Sequence, residues 1–104
     1  MPQIIDLCAT SDIESEDVIR VDREGHSFAV YHAPGGKFYV TSGLCTHEAV
    51  HLADGLMMEH IIECPKHNGR FDYRTGEAKG APACVNLRIF PVTLAGGRVT
   101  IALS

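Results

Sequence analysis

The chain has 104 residues, 45% of them apolar, with thirteen acids against nine bases for a formal net charge of −4. That is one domain's length with a single modest core, and the acidic balance excludes nucleic acid as the main partner, since phosphate contacts need clustered Lys and Arg. No apolar run approaches the roughly 18 residues of a membrane span, and Met1-Pro2-Gln3 leads into no basic or apolar leader; a soluble, cytoplasmic protein is expected, without a membrane partner.

In chain order, Ile4, Ile5 and Leu7 open a predicted edge strand, and the acidic stretch 12–17 reads as a solvated connection or a short helical turn. Residues 18–21 and 28–31 are β-rich runs separated by Asp22-Arg23-Glu24-Gly25. Residues 33–37, Ala-Pro-Gly-Gly-Lys, form a strong turn from which 38–41 return, so these pieces make an antiparallel meander. From residue 43 to about 83 the sequence turns to Gly, His and polar residues, with turns at Asp54-Gly55 and Arg74-Thr75-Gly76. Leu56-Met57-Met58 within it is expected to fill core. Val85, Leu87 and Ile89 then alternate with polar residues, and Ala95-Gly96-Gly97 leads to Val99, Ile101 and Leu103. This predicts a C-terminal hairpin with one buried face. The expected fold is all-β and antiparallel, a β-sandwich-like base in one domain, 1–104, with an excursion at about 43–83 inserted between strands.

The excursion holds the chemistry. Cys45-Thr46-His47 is a C-x-H pair and Cys64-Pro65-Lys66-His67 a C-x-x-H pair. Each is short enough to present both ligands from one loop. Pro65 restricts the second loop, while Gly43 and Gly69 allow tight turns beside the ligands. Two cofactors suit two Cys and two His: zinc in a closed tetrahedral site, or a [2Fe–2S] cluster with two Cys on one iron and two His on the other. Zinc sites usually pair like ligands, whereas here each loop supplies one of each, which suits two irons. His51 and His60 are not needed to complete the set, and His26 and His32 read as surface residues. Cys8 and Cys84 have no partner at ligand spacing and read as inert buried thiols. Glu48, Asp54, Glu59 and Glu63, with no base among them, carry the formal charge of the chain. They form a solvated face that can also steer a basic partner. No nucleophile–base pair, phosphate loop or carboxylate dyad is present, which points to a carrier and not an enzyme.

The stretch Cys45-Thr46-His47-Glu48, Leu52-Ala53-Asp54-Gly55 and the run Ile62-Glu63-Cys64-Pro65-Lys66-His67-Asn68-Gly69-Arg70-Phe71-Asp72 resemble the Rieske-type ferredoxins. The likeness is greatest to those serving bacterial aromatic-ring-hydroxylating dioxygenases, and continues through Gly76 and Gly80-Ala81-Pro82 to the final hairpin. The resemblance implies a Rieske fold whose inserted subdomain carries one [2Fe–2S] cluster, with Cys45 and Cys64 on the inner iron and His47 and His67 on the outer. It implies a monomeric one-electron carrier between a flavin-dependent ferredoxin reductase and a terminal oxygenase. The rival readings are the small subunit of another redox enzyme, such as an assimilatory nitrite reductase, and a zinc-stapled binding module. High-potential relatives of this motif add a disulfide and two hydroxyl donors; the matching positions here are Val50, Lys66, Gly69 and Phe71, which supply neither. The potential is therefore expected near the bottom of the Rieske range, roughly −150 mV.

Overall fold

The computed structural model describes residues 3–46, 50–66, 69–79 and 85–103. Their strands form three antiparallel sheets. In the outer sheet, β1 (Gln3–Ala9) pairs with β10 (Arg98–Leu103), which pairs with β9 (Val92–Ala95). The middle sheet orders β2 (Asp17–Arg23), β3 (His26–His32), β4 (Phe38–Ser42) and β8 (Ile89–Phe90). The third sheet is small: β5 (Leu56–Met58), β6 (Ile61–Glu63) and β7 (Arg70–Asp72). The only helical pieces among the described residues are the 3-10 turns Thr10–Asp12 and Leu52–Asp54, and no helix there is long and apolar enough to cross a membrane. The all-β, antiparallel expectation is met, with β1 at a sheet edge as read from Ile4, Ile5 and Leu7.

Local chemistry sets the boundaries. Glu24 and Gly25 both have positive φ, 52° and 78°, the geometry of a two-residue turn whose twist matches that of the flanking strands. The β2–β3 ladder accordingly runs to Arg23↔His26, further than a four-residue separator would allow. The C-terminal hairpin needs a larger correction. Its first arm is β9, not the 85–89 run: Val85 is 58% exposed, Leu87 is buried, and Ile89 and Phe90 pair with β4 in the middle sheet. Pro91 has no N–H to give either ladder, so the chain leaves one sheet there and enters the other.

Two apolar clusters lie on opposite faces of the middle sheet. Phe28 and Val30 of β3 face the outer sheet, packing with Leu7, Val99, Ile101 and Phe90. Ala29 and Tyr31, alternate residues on the same strand, face the other way and pack with Leu52, Ile62, Phe71 and Tyr73 from the excursion. β3 is thus buried on both sides, and its Phe-Ala-Val-Tyr core lacks alternation for that reason. Leu56 departs from its expected core role, being 56% exposed, whereas Met57 packs on the second cluster.

Candidate metal centre

The first cysteine sits on a closed loop. After β4 the chain passes Gly43 and Leu44 to Cys45, whose N–H donates to Val50 O at 2.9 Å. Leu44 faces His51 in an isolated antiparallel bridge, and Leu52 N–H donates to Gly43 O at 2.8 Å. These bonds make residues 43–45 and 50–52 the two arms of a short hairpin stem that holds Cys45 at 6% exposure. The second cysteine sits on the β6–β7 connection. The last rung of that ladder is Glu63↔Arg70, and Cys64 N–H donates to Gly69 O at 2.6 Å just beyond it. Cys64 is 1% exposed, while Pro65 and Lys66 face solvent.

Both cysteines belong to the same buried cluster as Leu52, Ile62 and Phe71, which extends along β3 and β7 to Tyr31 and Tyr73. Tyr31 and Tyr73 stack at 4.4 Å between ring centroids, tilted by 6°. Each buried hydroxyl has a partner: Tyr31 bonds to Thr41 Oγ1 at 2.8 Å, and Tyr73 donates to Glu59 O. Burial raises both phenols above their ordinary range, Tyr73 to about 12, so they stay neutral at working pH. Two thiolates buried in such a cluster would need a cation to offset their charge, and that is the chemistry an iron–sulfur group supplies. The other predicted ligands, His47 and His67, lie outside the described residues, as do Glu48, Cys84 and the Gly80-Ala81-Pro82 stretch.

A third segment borders the first loop. Thr46 Oγ1 donates to Val85 O at 2.7 Å, and Leu44 and Val85 are both large apolar side chains left exposed beside it. The approach to this segment depends on the turn after β7. Asp72 is buried and accepts from Arg74 at its backbone N–H, Nε and Nη2; that guanidinium holds its carboxyl below the ordinary value. Gly76 then follows with φ +83°, and its carbonyl accepts from Leu87 N–H at 2.7 Å.

The remaining sequence candidates separate cleanly. Cys8 is buried in the other cluster, as expected, and burial, aided by Asp12, pushes its thiol up. His32 stacks on Phe38, and its Nδ1 lies 2.9 Å from Ile13 O. His60 is half-buried near Tyr73. His51, not needed as a ligand, is 4% exposed and forms part of the loop's framework. Gly43 serves that residue rather than a turn, since its φ is ordinary and a Cβ there would come well inside 3.0 Å of the His51 ring. Sequence could have flagged His51 by its place just before Leu-Ala-Asp, the cap of a helical turn. Of the acids, Asp54 and Glu59 are exposed, while Glu63 is paired with Arg70 at 2.8 Å. Among the described residues no three His, Cys, Asp or Glu side chains gather to hold a metal ion, so nothing there competes with the two loops.

The architecture has close counterparts. Residues 3–91 match the family described as Rieske [2Fe–2S] domain. The chain is 44% identical, over 96% of its length and 95% of the relative's, to the ferredoxin component of the naphthalene 1,2-dioxygenase system of Pseudomonas aeruginosa. It is 37% identical, over 97% of its length and 86% of the relative's, to the p-cumate 2,3-dioxygenase ferredoxin component of Pseudomonas putida. Among solved structures it resembles the Sphingomonas yanoikuyae B1 ferredoxin (TM-score 0.92, 36% identity, 98% and 100% of the two chains covered). It also matches a chain in the complex of reduced oxygenase and oxidized ferredoxin of carbazole 1,9a-dioxygenase (TM-score 0.89, 37% identity, 95% and 92% covered). A nitrite reductase small subunit from Mycobacterium tuberculosis shares the fold at TM-score 0.87 but only 14% identity, a likeness of fold alone.

Fold, site and relatives together define an iron–sulfur electron carrier and not a catalytic subunit. The chain belongs to the Rieske [2Fe–2S] family, with the ferredoxin components of ring-hydroxylating dioxygenase systems, and its cofactor is a Rieske-type cluster. The zinc-stapled module is set aside.

Proposed function

We propose that Cys45, His47, Cys64 and His67 hold the cluster, and that the chain passes single electrons from a flavin-dependent ferredoxin reductase to a terminal ring-hydroxylating oxygenase. One observation carries the ligand set: two separate hairpin stems bring Cys45 and Cys64 into one buried apolar cluster, each followed within three residues by a histidine. The cluster would supply the one-electron couple, and the chain would supply two thiolates, two imidazoles and a buried apolar setting for the cysteines. Residues of about 43–83 act as the cluster-bearing subdomain of a single 1–104 domain. The protein works as a cytoplasmic monomer, consistent with a carrier that must leave one partner to reach another.

Docking belongs at the loop end of the molecule. Leu44 and Val85 offer exposed apolar surface beside Cys45 and Thr46, and an apolar centre with a charged margin is what transient partners use. The relatives' names support the oxygenase as one of those partners. The test is direct. Purified protein is expected to be brown, with about two irons and two acid-labile sulfides per chain and a Rieske-type EPR signal when reduced. Cys45→Ser and Cys64→Ser should each abolish the cluster. Loss of the EPR signature in neither variant would overturn the ligand set. Failure to pass electrons between any reductase and oxygenase of a matched panel would overturn the partner assignment.

A further inference from the structure

His51 closes the first cluster loop with its backbone and its side chain at once. Its backbone faces Leu44 across the stem, one rung from Cys45. Its ring reaches from the loop to β3, where Nε2 lies 3.0 Å from Ser27 Oγ, and the carbonyl of the same Ser27 accepts from Gly43 N–H at 2.8 Å. On the other side Nδ1 accepts from Ala53 N–H at 3.0 Å, capping the turn Leu52–Asp54. An N–H aimed at Nδ1 requires a lone pair there, so the ring is neutral with its proton on Nε2, donated to Ser27. Gly43 has no side chain in the space that the ring fills. Ser27, Gly43, His51 and Ala53 are thus joined through one imidazole, which is 4% exposed.

We propose that His51 is the positioning residue of the first cluster loop, a neutral latch that fastens the loop to β3 and releases it on taking up a proton. The inference rests on the assignment of Cys45 as a ligand. Protonation would place a second N–H against that of Ala53, removing the cap acceptor and setting two donors face to face. Burial opposes the charge first, and Arg20 on β2 opposes it as well. Asp22 on β2 and Asp54 on the capped turn favour it, and the balance lowers the imidazole below its ordinary 6.5. A group whose folded state prefers the neutral form lends its full stabilisation above its unfolded value and loses it as pH falls below that value. The latch is therefore fastened near neutrality and weakens on acidification from about pH 6.5 downward.

Iron release from the intact holoprotein to a chelator, followed by loss of visible absorbance across about pH 5 to 8, tests this. His51→Asn keeps a cap acceptor and cannot take up a proton. It should flatten the rise in release rate that wild type shows below about pH 6.5. Ser27→Ala keeps the imidazole and removes only its tie to β3, so release at neutral pH should quicken about five-fold, as for the loss of one such hydrogen bond, with the acid dependence retained. His47 and His67 are present in all these proteins, so the difference between profiles isolates His51. An acid profile for His51→Asn superimposable on wild type, or wild-type release from Ser27→Ala, would overturn the latch. A Cys45→Ser protein that retains its cluster would instead overturn the ligand assignment beneath the latch.

Discussion

Gly76→Ala is the substitution whose cost the structure states most sharply. Gly76 has φ +83°, and a Cβ there would fall well inside 3.0 Å of Leu87 O, a backbone atom that cannot swing aside. Left-handed backbone costs an L-residue about 1–2 kcal/mol. Clearing the carbonyl must also stretch the Leu87 N–H to Gly76 O bond, worth about 1 kcal/mol, and displace Leu87 from a position only 4% exposed, another 1–3 kcal/mol or so by the usual cost of overpacking. The total is about 3–6 kcal/mol, a large part of the stability of a small domain. At about 4–8 °C per kcal/mol, the melting temperature should fall by well over 10 °C. Gly36→Ala is the control: φ is +86° but nothing lies within 4 Å, so only the backbone strain of about 1–2 kcal/mol applies. Guanidinium titrations of both holoproteins, read by far-UV circular dichroism and visible absorbance, give the comparison. If Gly76→Ala were no more destabilising than Gly36→Ala, the close approach of these two segments would be refuted.

Phe71→Tyr should raise the reduction potential by about 40 mV, taking one hydroxyl-to-thiolate hydrogen bond as about 1 kcal/mol in favour of the reduced state; film voltammetry showing no change would mean that the hydroxyl reaches neither cysteine. Asp72→Asn should cost about 1–2 kcal/mol near neutrality, discounted because Arg74 is half exposed. Since Arg74 depresses the Asp72 carboxyl below 3.8, wild type holds this advantage above that pH and loses it as pH falls further, so denaturation curves of the two proteins should converge in strong acid. Cys8→Ser should leave iron and sulfide content unchanged, because Cys8 lies in the other cluster; a colourless variant would contradict that separation. Electron transfer should slow only modestly with salt, because Glu63 is already paired with Arg70, and neutralising Asp54 and Glu59 together should remove what dependence there is.

The family and the antiparallel meander were legible because their signals are local: two short Cys/His spacings, and β-rich runs between Gly-rich turns. What escaped was set by non-local packing. Nothing in the run 85–90 says that Ile89 and Phe90 join β4 while Val92 joins β10; only the partner strands decide that, and Pro91 marks the change after the fact. Gly43 looked like a turn residue because glycine usually is, yet its lack of a side chain makes room for a ring eight positions away. His51 was weighed only as a spare ligand, and a count of Cys and His does not register which side chain ties a loop to the neighbouring strand. The acidic segment was counted as four like charges, whereas the β6–β7 register gives one of them a cation.

The burial of Cys45 and Cys64 in one close-packed apolar cluster has a consequence for speed. A carrier is slowed by whatever must rearrange around it when its charge changes by one. Water rearranges a great deal, and loosely held polar side chains somewhat less. Close-packed apolar side chains such as Leu52, Ile62 and Phe71 have almost nothing to turn toward the new charge. Packing of this kind keeps the rearrangement small, so that little of the driving force between partners is spent on moving atoms.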